Sequence, residues 1–281
     1  MKINETYREV LKWASSFLED SGHEGIAAEL LLRGRLDWTK TDFILQLNEQ
    51  IPEEIKQQLI ADVTQHSQGI PIQHLLGYEW FYNYRFKVTA DTLIPRPETE
   101  EIVDIFLHQA PERPLKVLDI GTGTGVIAIT IKKERPQDDV TAVDLSAKAL
   151  AVAKENAVAL GADVQLLAGD LTAPVKNQQF DVVISNPPYI AEEEQVYMDK
   201  SVLTHEPKMA LFAENHGLAI YQRLAEEIPA VLKPTGQIFL EIGFRQGAAV
   251  KAIFKTAFPN ADITIKKDMS GQDRLVQVLL A

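Results

Sequence analysis

The sequence predicts an α/β protein: a small all-helical unit, then a mostly parallel seven-stranded sheet covered by helices. Three observations predict it. From Leu115 onward short apolar runs alternate with helical stretches, as in a parallel sheet buried on both faces. The first ~75 residues carry apolar side chains at helical spacing, with no strand alternation. Between these regions, from Gly69 to Ala90, the chain turns aromatic and β-branched. With 281 residues there is room for one large domain or two modest ones. The division expected is a helical domain over residues 1–75, a linking hairpin over 76–92 and an α/β domain over 93–281.

The elements follow in order. Val10, Leu11, Ala14, Phe17 and Leu18 share one helical face, and Ile26, Ala27, Leu30 and Leu31 a second. Asp42 to Leu47 forms a short third helix. Pro52, Glu53 and Glu54 open a fourth, lined by Ile55, Leu59, Ile60 and Val63. Tyr78 to Val88 reads as a hairpin turning near Asn83. Its aromatics suit a core between domains better than a base-stacking platform. A helix starts at Pro97, its positive end favoured by Glu98, Glu100 and Glu101. Strands are expected over 116–120, 140–143, 164–167, 181–185, 237–242, 262–266 and 275–280. Helices are expected over 125–133, 146–160, 217–232 and 246–256. The last two strands lack a helix between them and should pair antiparallel.

Lys plus Arg total 28 and Asp plus Glu 40, a formal charge of −12. That balance argues against unspecific attachment to a nucleic-acid backbone, which needs cations to displace counterions. The absence of cysteine rules out disulfides, thiol nucleophiles and thiolate metal sites. The six histidines, His205 among them, show no ligand spacing, so no metal is expected. The opening residues carry no apolar signal core, and no run approaches the ~20 apolar residues of a membrane span. A cytoplasmic protein is the expectation.

Val117–Leu118–Asp119–Ile120 runs into Gly121–Thr122–Gly123–Thr124–Gly125, an apolar strand opening a glycine-rich turn before a helix. Glycine lets backbone approach a ligand closely, and a helix start presents free N–H groups. A dinucleotide fingerprint would require glycine at Val126. The spacing Asp-x-Gly-x-Gly-x-Gly resembles instead the first motif of class I S-adenosylmethionine-dependent methyltransferases. Asp144, at the end of the second strand, could accept from two ribose hydroxyls. At the end of the third, Asp170 or the adjoining backbone could meet an adenine amino group, with Leu171 against the ring. Either acid could also be a plain helix cap or a solvated strand end.

The fourth strand runs into Asn186–Pro187–Pro188–Tyr189. Two prolines fix φ and remove two N–H donors, leaving a stiff turn that displays carbonyl acceptors. A planar –NH2 group could donate one hydrogen to the Asn186 side chain and the other to the Pro187 carbonyl. Those acceptors would stabilise positive charge growing on the nitrogen and aim it at a methyl group. Methyltransferases acting on planar nitrogens share this turn, whether the nitrogen belongs to adenine, cytosine, guanine or a glutamine amide.

Leu93–Ile94–Pro95–Arg96–Pro97–Glu98–Thr99–Glu100 stands at the start of the α/β domain, ahead of its first strand. Glu206–Pro207–Lys208, Glu241–Ile242–Gly243 and Asp268–Met269–Ser270–Gly271–Gln272–Asp273–Arg274 follow the turn. With the helical domain and the hairpin, the chain resembles the peptide-chain release factor glutamine methyltransferases over essentially its full length. The resemblance implies a Rossmann-like methyltransferase sheet and N5-methylation of the glutamine in the Gly-Gly-Gln loop of class I release factors. The donor would be S-adenosyl-L-methionine and the product S-adenosyl-L-homocysteine. By position, Gly121, Thr122, Gly123, Thr124 and Gly125 would hold the cofactor, Asp144 its ribose, and Asp170 and Leu171 its adenine. Asn186 would touch cofactor and substrate, and Asn186, Pro187, Pro188 and Tyr189 would form the glutamine pocket. Asn186, Pro187 and Tyr189 would carry the chemistry, a single in-line displacement without a named base. Arg96 either pairs with a carboxylate or stands near the cofactor, and Glu98 either favours its helix start or does the same. The helical domain would grip the protein substrate. Rival readings are a ribosomal-protein glutamine enzyme, a nucleic-acid amine methyltransferase, a nicotinamide oxidoreductase and a non-catalytic binding module. No direct DNA or membrane binding is expected.

Overall fold

A computed structural model describes residues 5–280; residues 1–4 of the opening segment lie outside them. The chain forms two compact units. Among the described residues, one contains those up to Tyr78 together with Asp199–His205, and the other Glu79–Met198 and those from Glu206 on.

The smaller unit is helical. Helix α1 (Tyr7–Asp20) starts at a capping box: Thr6 Oγ1 accepts from the Glu9 amide, and the Glu9 carboxylate accepts from the Thr6 amide. Helices α2 (Ile26–Leu36), α3 (Lys40–Gln46) and α4 (Glu53–His66) follow. Their shared core holds Leu11, Ala14, Leu18, Leu31, Leu32, Leu59 and Val63. On α2 the buried stripe is Ala27, Ala28, Leu31 and Leu32, whereas Ile26 and Leu30 are exposed. The expected face is therefore rotated: packing against both α1 and α4 selects the small Ala28 over Leu30 at the close approach. Asp62 is fully buried because Arg35 donates to both its carboxylate oxygens at 2.8 Å. A further short helix, α5 (Ile72–Leu76), begins after Pro71 and ends on left-handed Gly77. The sequence pattern does not mark it, since five residues are too few to show a period.

Strands β1 (Tyr78–Phe81) and β2 (Tyr84–Lys87) form the expected hairpin, with Tyr82 and Asn83 both at positive φ in the tight turn. Phe81 and Phe86 are buried in the core of the larger unit with Ile102 and Phe106 of helix α6 (Pro97–Gln109). The alternation that follows is β3 (Lys116–Ile120), α7 (Val126–Glu134), β4 (Asp139–Asp144), α8 (Ala147–Leu160), β5 (Gln165–Ala168) and β6 (Phe180–Ser185). Helix α8 is capped by Ser146, whose hydroxyl accepts from the Ala149 amide. After β6 come a 3₁₀ turn (Glu192–Tyr197) and the short helices α9 (Lys200–His205), α10 (Lys208–Leu211) and α11 (Glu214–Gly217). None was expected from spacing. Helix α9 lies within the helical unit, where Ser201 Oγ donates to the Gly69 carbonyl at 2.7 Å.

The helix expected over 217–232 is shorter: α12 (Ala219–Glu227) stops at a 3₁₀ turn containing Pro229, whose ring removes a helical donor. Strand β7 (Leu232–Glu241) therefore starts five residues before its expected onset. It pairs first at Phe180–Leu232, then resumes at Val182–Gln237 after an irregularity. Helix α13 (Gly247–Ala257) and the antiparallel pair β8 (Asp262–Lys267) and β9 (Asp273–Leu279) complete the chain.

The seven-stranded sheet has the order β5-β4-β3-β6-β7-β9-β8. Strands β3 to β7 are parallel, so their carboxyl ends converge on one edge. Strand β3 leads to β4 on one side and β6 on the other, so the order reverses there, and a crevice opens beyond such a switch point. Among the described residues no helix is long and apolar enough to cross a membrane.

Candidate active site

The crevice is a cavity of about 200 Å³ beyond the ends of β3, β4, β5 and β6. Its walls include Gly121 and Gly123, Asp144, Asp170 and Leu171, and Asn186, Pro187 and Pro188. Residues expected to bind cofactor and residues expected to bind acceptor thus share one space. Thr122, Thr124 and Gly125 lie behind it as supports, the two threonines almost wholly buried.

The glycine turn is built by backbone demands. Gly121, Gly123 and Gly125 all have positive φ, a region where a Cβ is strained. A side chain at Gly125 would also strike Ile129. The Gly121 and Thr122 amides donate to the Val143 carbonyl at 2.8 and 3.1 Å, and the Gly123 amide donates to Asp144 Oδ2 at 2.8 Å. The free N–H groups expected of this turn are therefore largely engaged by the neighbouring strand. The turn works here as a close-approach floor rather than an anion nest.

Asp144 takes a second backbone donor, the Ser146 amide, on Oδ1 at 2.8 Å. An ionised carboxylate offers about four acceptor positions, so two remain for ligand hydroxyls. Asp170 is gripped by Arg223, which donates to both its oxygens at 3.1 and 2.9 Å. Leu171 is left-handed at φ 45°, an uncommon conformation for a leucine and one that collects at binding sites. Leu145, Met209 and Ile220 add apolar surface to the same cavity.

Three acids that spacing did not single out as site residues matter to the site. Asp119 is fully buried, and its Oδ2 accepts from the Thr122 hydroxyl at 2.5 Å. Burial pushes its carboxyl up to about 7, against the pull of the Thr122 hydroxyl and the Ala128 amide of α7. Glu206 is buried too, accepting from Arg96 at 2.5 Å and from the Ile94 amide at 3.0 Å. Of the two roles open to Arg96, the geometry supplies the carboxylate pair. Glu241 accepts from the Thr99 hydroxyl at 2.6 Å, and burial pushes its carboxyl up to about 7. The signals for Glu206 and Glu241 were in their motifs, Glu-Pro-Lys and Glu-Ile-Gly, but nothing in linear spacing tells which carboxylates are buried.

The acceptor turn leaves β6 beside β3, where Ser185 Oγ donates to the Ile120 carbonyl at 2.6 Å. Asn186 Nδ2 donates to Thr99 Oγ1 at 3.1 Å. The Asn186 carbonyl lies 4.0 Å from the place a Cβ would occupy on Gly121, so turn and floor nearly touch. Tyr189 stands behind the cavity. Its hydroxyl donates to Glu241 Oε1 at 3.4 Å, and its carbonyl accepts from Gln246 Nε2 at 2.8 Å. Burial pushes its phenol well up, so it stays a neutral donor. Gly217 passes so close that a Cβ there would overlap the Tyr189 carbonyl. Among the described residues no group of three or more His, Asp or Glu could hold a metal ion.

The raised Asp119 carboxyl has a thermodynamic consequence. Between the ordinary carboxylate value and about 7 the folded state binds more protons than the unfolded, so stability falls as pH rises. Asp119→Asn removes that slope. The ligand-free variant is expected to gain melting temperature relative to the wild-type protein as pH goes from about 5 to about 8. Parallel thermal melts check this; a difference constant with pH would mean Asp119 titrates ordinarily.

Residues 9–77 match the family model of the PrmC N-terminal domain, and residues 102–213 that of the methyltransferase small domain. The release factor glutamine methyltransferase of Enterococcus faecalis is 51% identical over 269 residues, 96% of this chain and 97% of that protein. That of Bacillus subtilis is 42% identical, covering 98% of each chain. Among solved structures, a methyltransferase from Pyrococcus furiosus superposes with a TM-score of 0.54 at 20% identity. The match covers 70% of this chain and 89% of that one, a likeness of fold.

Proposed function

The chain belongs to the release factor glutamine methyltransferases, and from that premise we propose how its residues divide the work. Its reaction is methyl transfer to a glutamine of a release factor. We assign the acceptor as the side-chain N5 of the Gly-Gly-Gln glutamine of class I release factors. The donor is S-adenosyl-L-methionine, leaving as S-adenosyl-L-homocysteine. The observation that carries this reading is the shared cavity, with Asn186, Pro187 and Pro188 facing Gly121, Gly123 and Asp144.

The residues present fit that donor. The floor is two glycines on which any Cβ would sit in strained backbone, so a ligand can lie close. Gly121, Gly123 and the supports Thr122, Thr124 and Gly125 would hold the methionyl end, Asp144 the ribose, and Asp170 and Leu171 the adenine end. When bound, the donor supplies a methyl carbon made electrophilic by its sulfonium.

The protein's own work is placement. An amide nitrogen is a weak nucleophile because its lone pair is delocalised into the carbonyl. Asn186 Oδ1 and the Pro187 carbonyl accept its two hydrogens, and both acceptors strengthen as positive charge develops. Pro187 and Pro188 stiffen the turn, so little reorganisation is needed at that moment. Tyr189 backs the turn from inside. The helical unit serves as the grip on the protein substrate; it exposes Trp13, Ile26, Leu30, Ile44 and Leu45.

Incubation with a class I release factor and S-adenosylmethionine, followed by peptide mass spectrometry, is the test. One added methyl group on the Gly-Gly-Gln glutamine is expected. Transfer to RNA or DNA instead, or no transfer, would overturn the assignment.

A further inference from the structure

We propose that the Thr99 hydroxyl, itself oriented by Glu241, decides which end of the Asn186 amide faces the acceptor, making Thr99 and Glu241 positioning residues for methyl transfer. This rests on the placement of Asn186 in the glutamine pocket given above.

The two ends of an asparagine amide are nearly the same in shape and opposite in hydrogen bonding. The reaction needs Oδ1, an acceptor, toward the glutamine –NH2. With Nδ2 turned there instead, two donors would oppose each other. A neighbour that can only accept from the amide fixes the choice. That neighbour is Thr99, on the first turn of α6, 3.1 Å from Asn186 Nδ2.

A hydroxyl carries one hydrogen. The Thr99 hydrogen goes to Glu241 Oε2 at 2.6 Å, leaving toward Asn186 only the oxygen's lone pairs. Only the –NH2 end of Asn186 can satisfy that oxygen. Oδ1 is consequently turned away from Thr99. The relay is nearly dry, with Thr99 3% and Glu241 2% exposed, so an unsatisfied or mispaired group within it is costly.

Glu241 sets the direction of the relay by being an acceptor. The Tyr189 hydroxyl donates to its other oxygen, Oε1. The groups facing it are Glu98 and Thr99 from α6, Tyr189 from the turn and Arg274 from β9, while the Tyr221 hydroxyl of α12 donates to its carbonyl. Arg274 is held by Asp268 and the Ile242 carbonyl. Burial and Glu98 favour the protonated acid; Thr99, Arg274 and Tyr189 favour the carboxylate. A proton on Oε2 would reverse the chain. Glu241 would donate to Thr99, the Thr99 hydrogen would be free to donate to Asn186 Oδ1, and –NH2 would face the acceptor. The catalytically useful amide orientation therefore belongs to the ionised carboxylate, and turnover should decline on acidification through its titration near 7.

The role also gives a physical reason for two stretches far apart in sequence. Pro97 starts α6 and so places Thr99, and Glu241 ends β7 beside β6.

The experiment compares wild-type protein, Thr99→Val, Thr99→Ser and Glu241→Gln in methyl transfer to a release factor across pH. Thr99→Val keeps the shape and removes the hydroxyl. It is expected to lower kcat by about 10- to 100-fold with the KM for S-adenosylmethionine near wild type. Thr99→Ser restores the hydroxyl and should recover most of that loss. Glu241→Gln should lose the acid limb of the kcat profile. Full turnover in Thr99→Val, equal damage in Thr99→Ser, or an unchanged acid limb in Glu241→Gln would each overturn the proposal. The side-chain amide signals of Asn186 in a ¹⁵N-labelled protein give a readout without substrate. They should shift through the Glu241 titration in wild type and not in Thr99→Val. If the wild-type protein methylated no release factor yet showed this shift, the functional reading would fail and the relay would stand. Absence of the shift in an active wild-type protein would defeat the relay alone.

Discussion

Asn186→Ala lowers kcat for release factor methylation by about 10²- to 10³-fold, the cost typical of removing one prearranged hydrogen-bonding group from a reacting centre. The Kd for S-adenosylmethionine changes little. The asymmetry follows from geometry. Asn186 lines the cavity, but the floor under the donor is Gly121 and Gly123, tied to β4 by bonds that do not pass through Asn186. The backbone carbonyl of residue 186 also survives the substitution. What disappears is an acceptor whose attraction grows as the amide nitrogen becomes positive, so the loss falls on the transition state. Single-turnover methyl transfer beside calorimetric titration of the donor separates the two quantities. Normal turnover in the variant would remove Asn186 from the acceptor site.

Asp144→Ala has its largest effect on the other side of the cavity. It raises the Kd for S-adenosylmethionine by about 10- to 100-fold, as expected for loss of hydrogen bonds to a charged acceptor. The carboxylate has two tasks in the structure. It accepts from the Gly123 and Ser146 amides, so it ties the glycine turn to the start of α8. It also lines the cavity, with acceptor capacity beyond those two amides. Alanine removes both the ligand contact and the tie, leaving two amides to find water. Asp144→Asn keeps one acceptor and should fall between alanine and wild type. Calorimetry checks the series; unchanged affinity in Asp144→Ala would mean the ribose is held elsewhere.

The parts of the site that could be read without coordinates are those written in consecutive residues. The glycine turn, the Asp144 position and the Asn186–Tyr189 turn each follow a strand, and strand ends of a parallel sheet lie on one edge by necessity. The parts that could not be read are long-range pairings. Thr99 reaches Glu241 across 142 positions, and Arg96 reaches Glu206 across 110. Both stretches stood out as motifs, but a motif does not state its partner. Burial was equally hidden: Glu241 sits one residue before Ile242 on an apolar strand, a place where a carboxylate is normally excluded unless hydrogen-bonded. In the fold, the misplaced start of β7 has a local cause. Leu232 and Pro234 lie in a strand broken by an irregularity, and Ile228 and Val231 continue the helical apolar spacing past the point where Pro229 ends the helix. The rotated face of α2 has a tertiary one, because its neighbours choose alanine for contact.

The stretch Asp199–His205, which belongs to the helical unit although the chain on either side of it belongs to the larger one, changes what a deletion experiment can mean. Scissors applied near Gly69 or Tyr78 remove the surface proposed to grip the substrate, and they also strip Ser201 and its neighbours of the bed they lie in. An inactive fragment would then report two injuries as one. Co-expressing the severed halves, and asking whether they reassemble, tells the injuries apart where truncation does not.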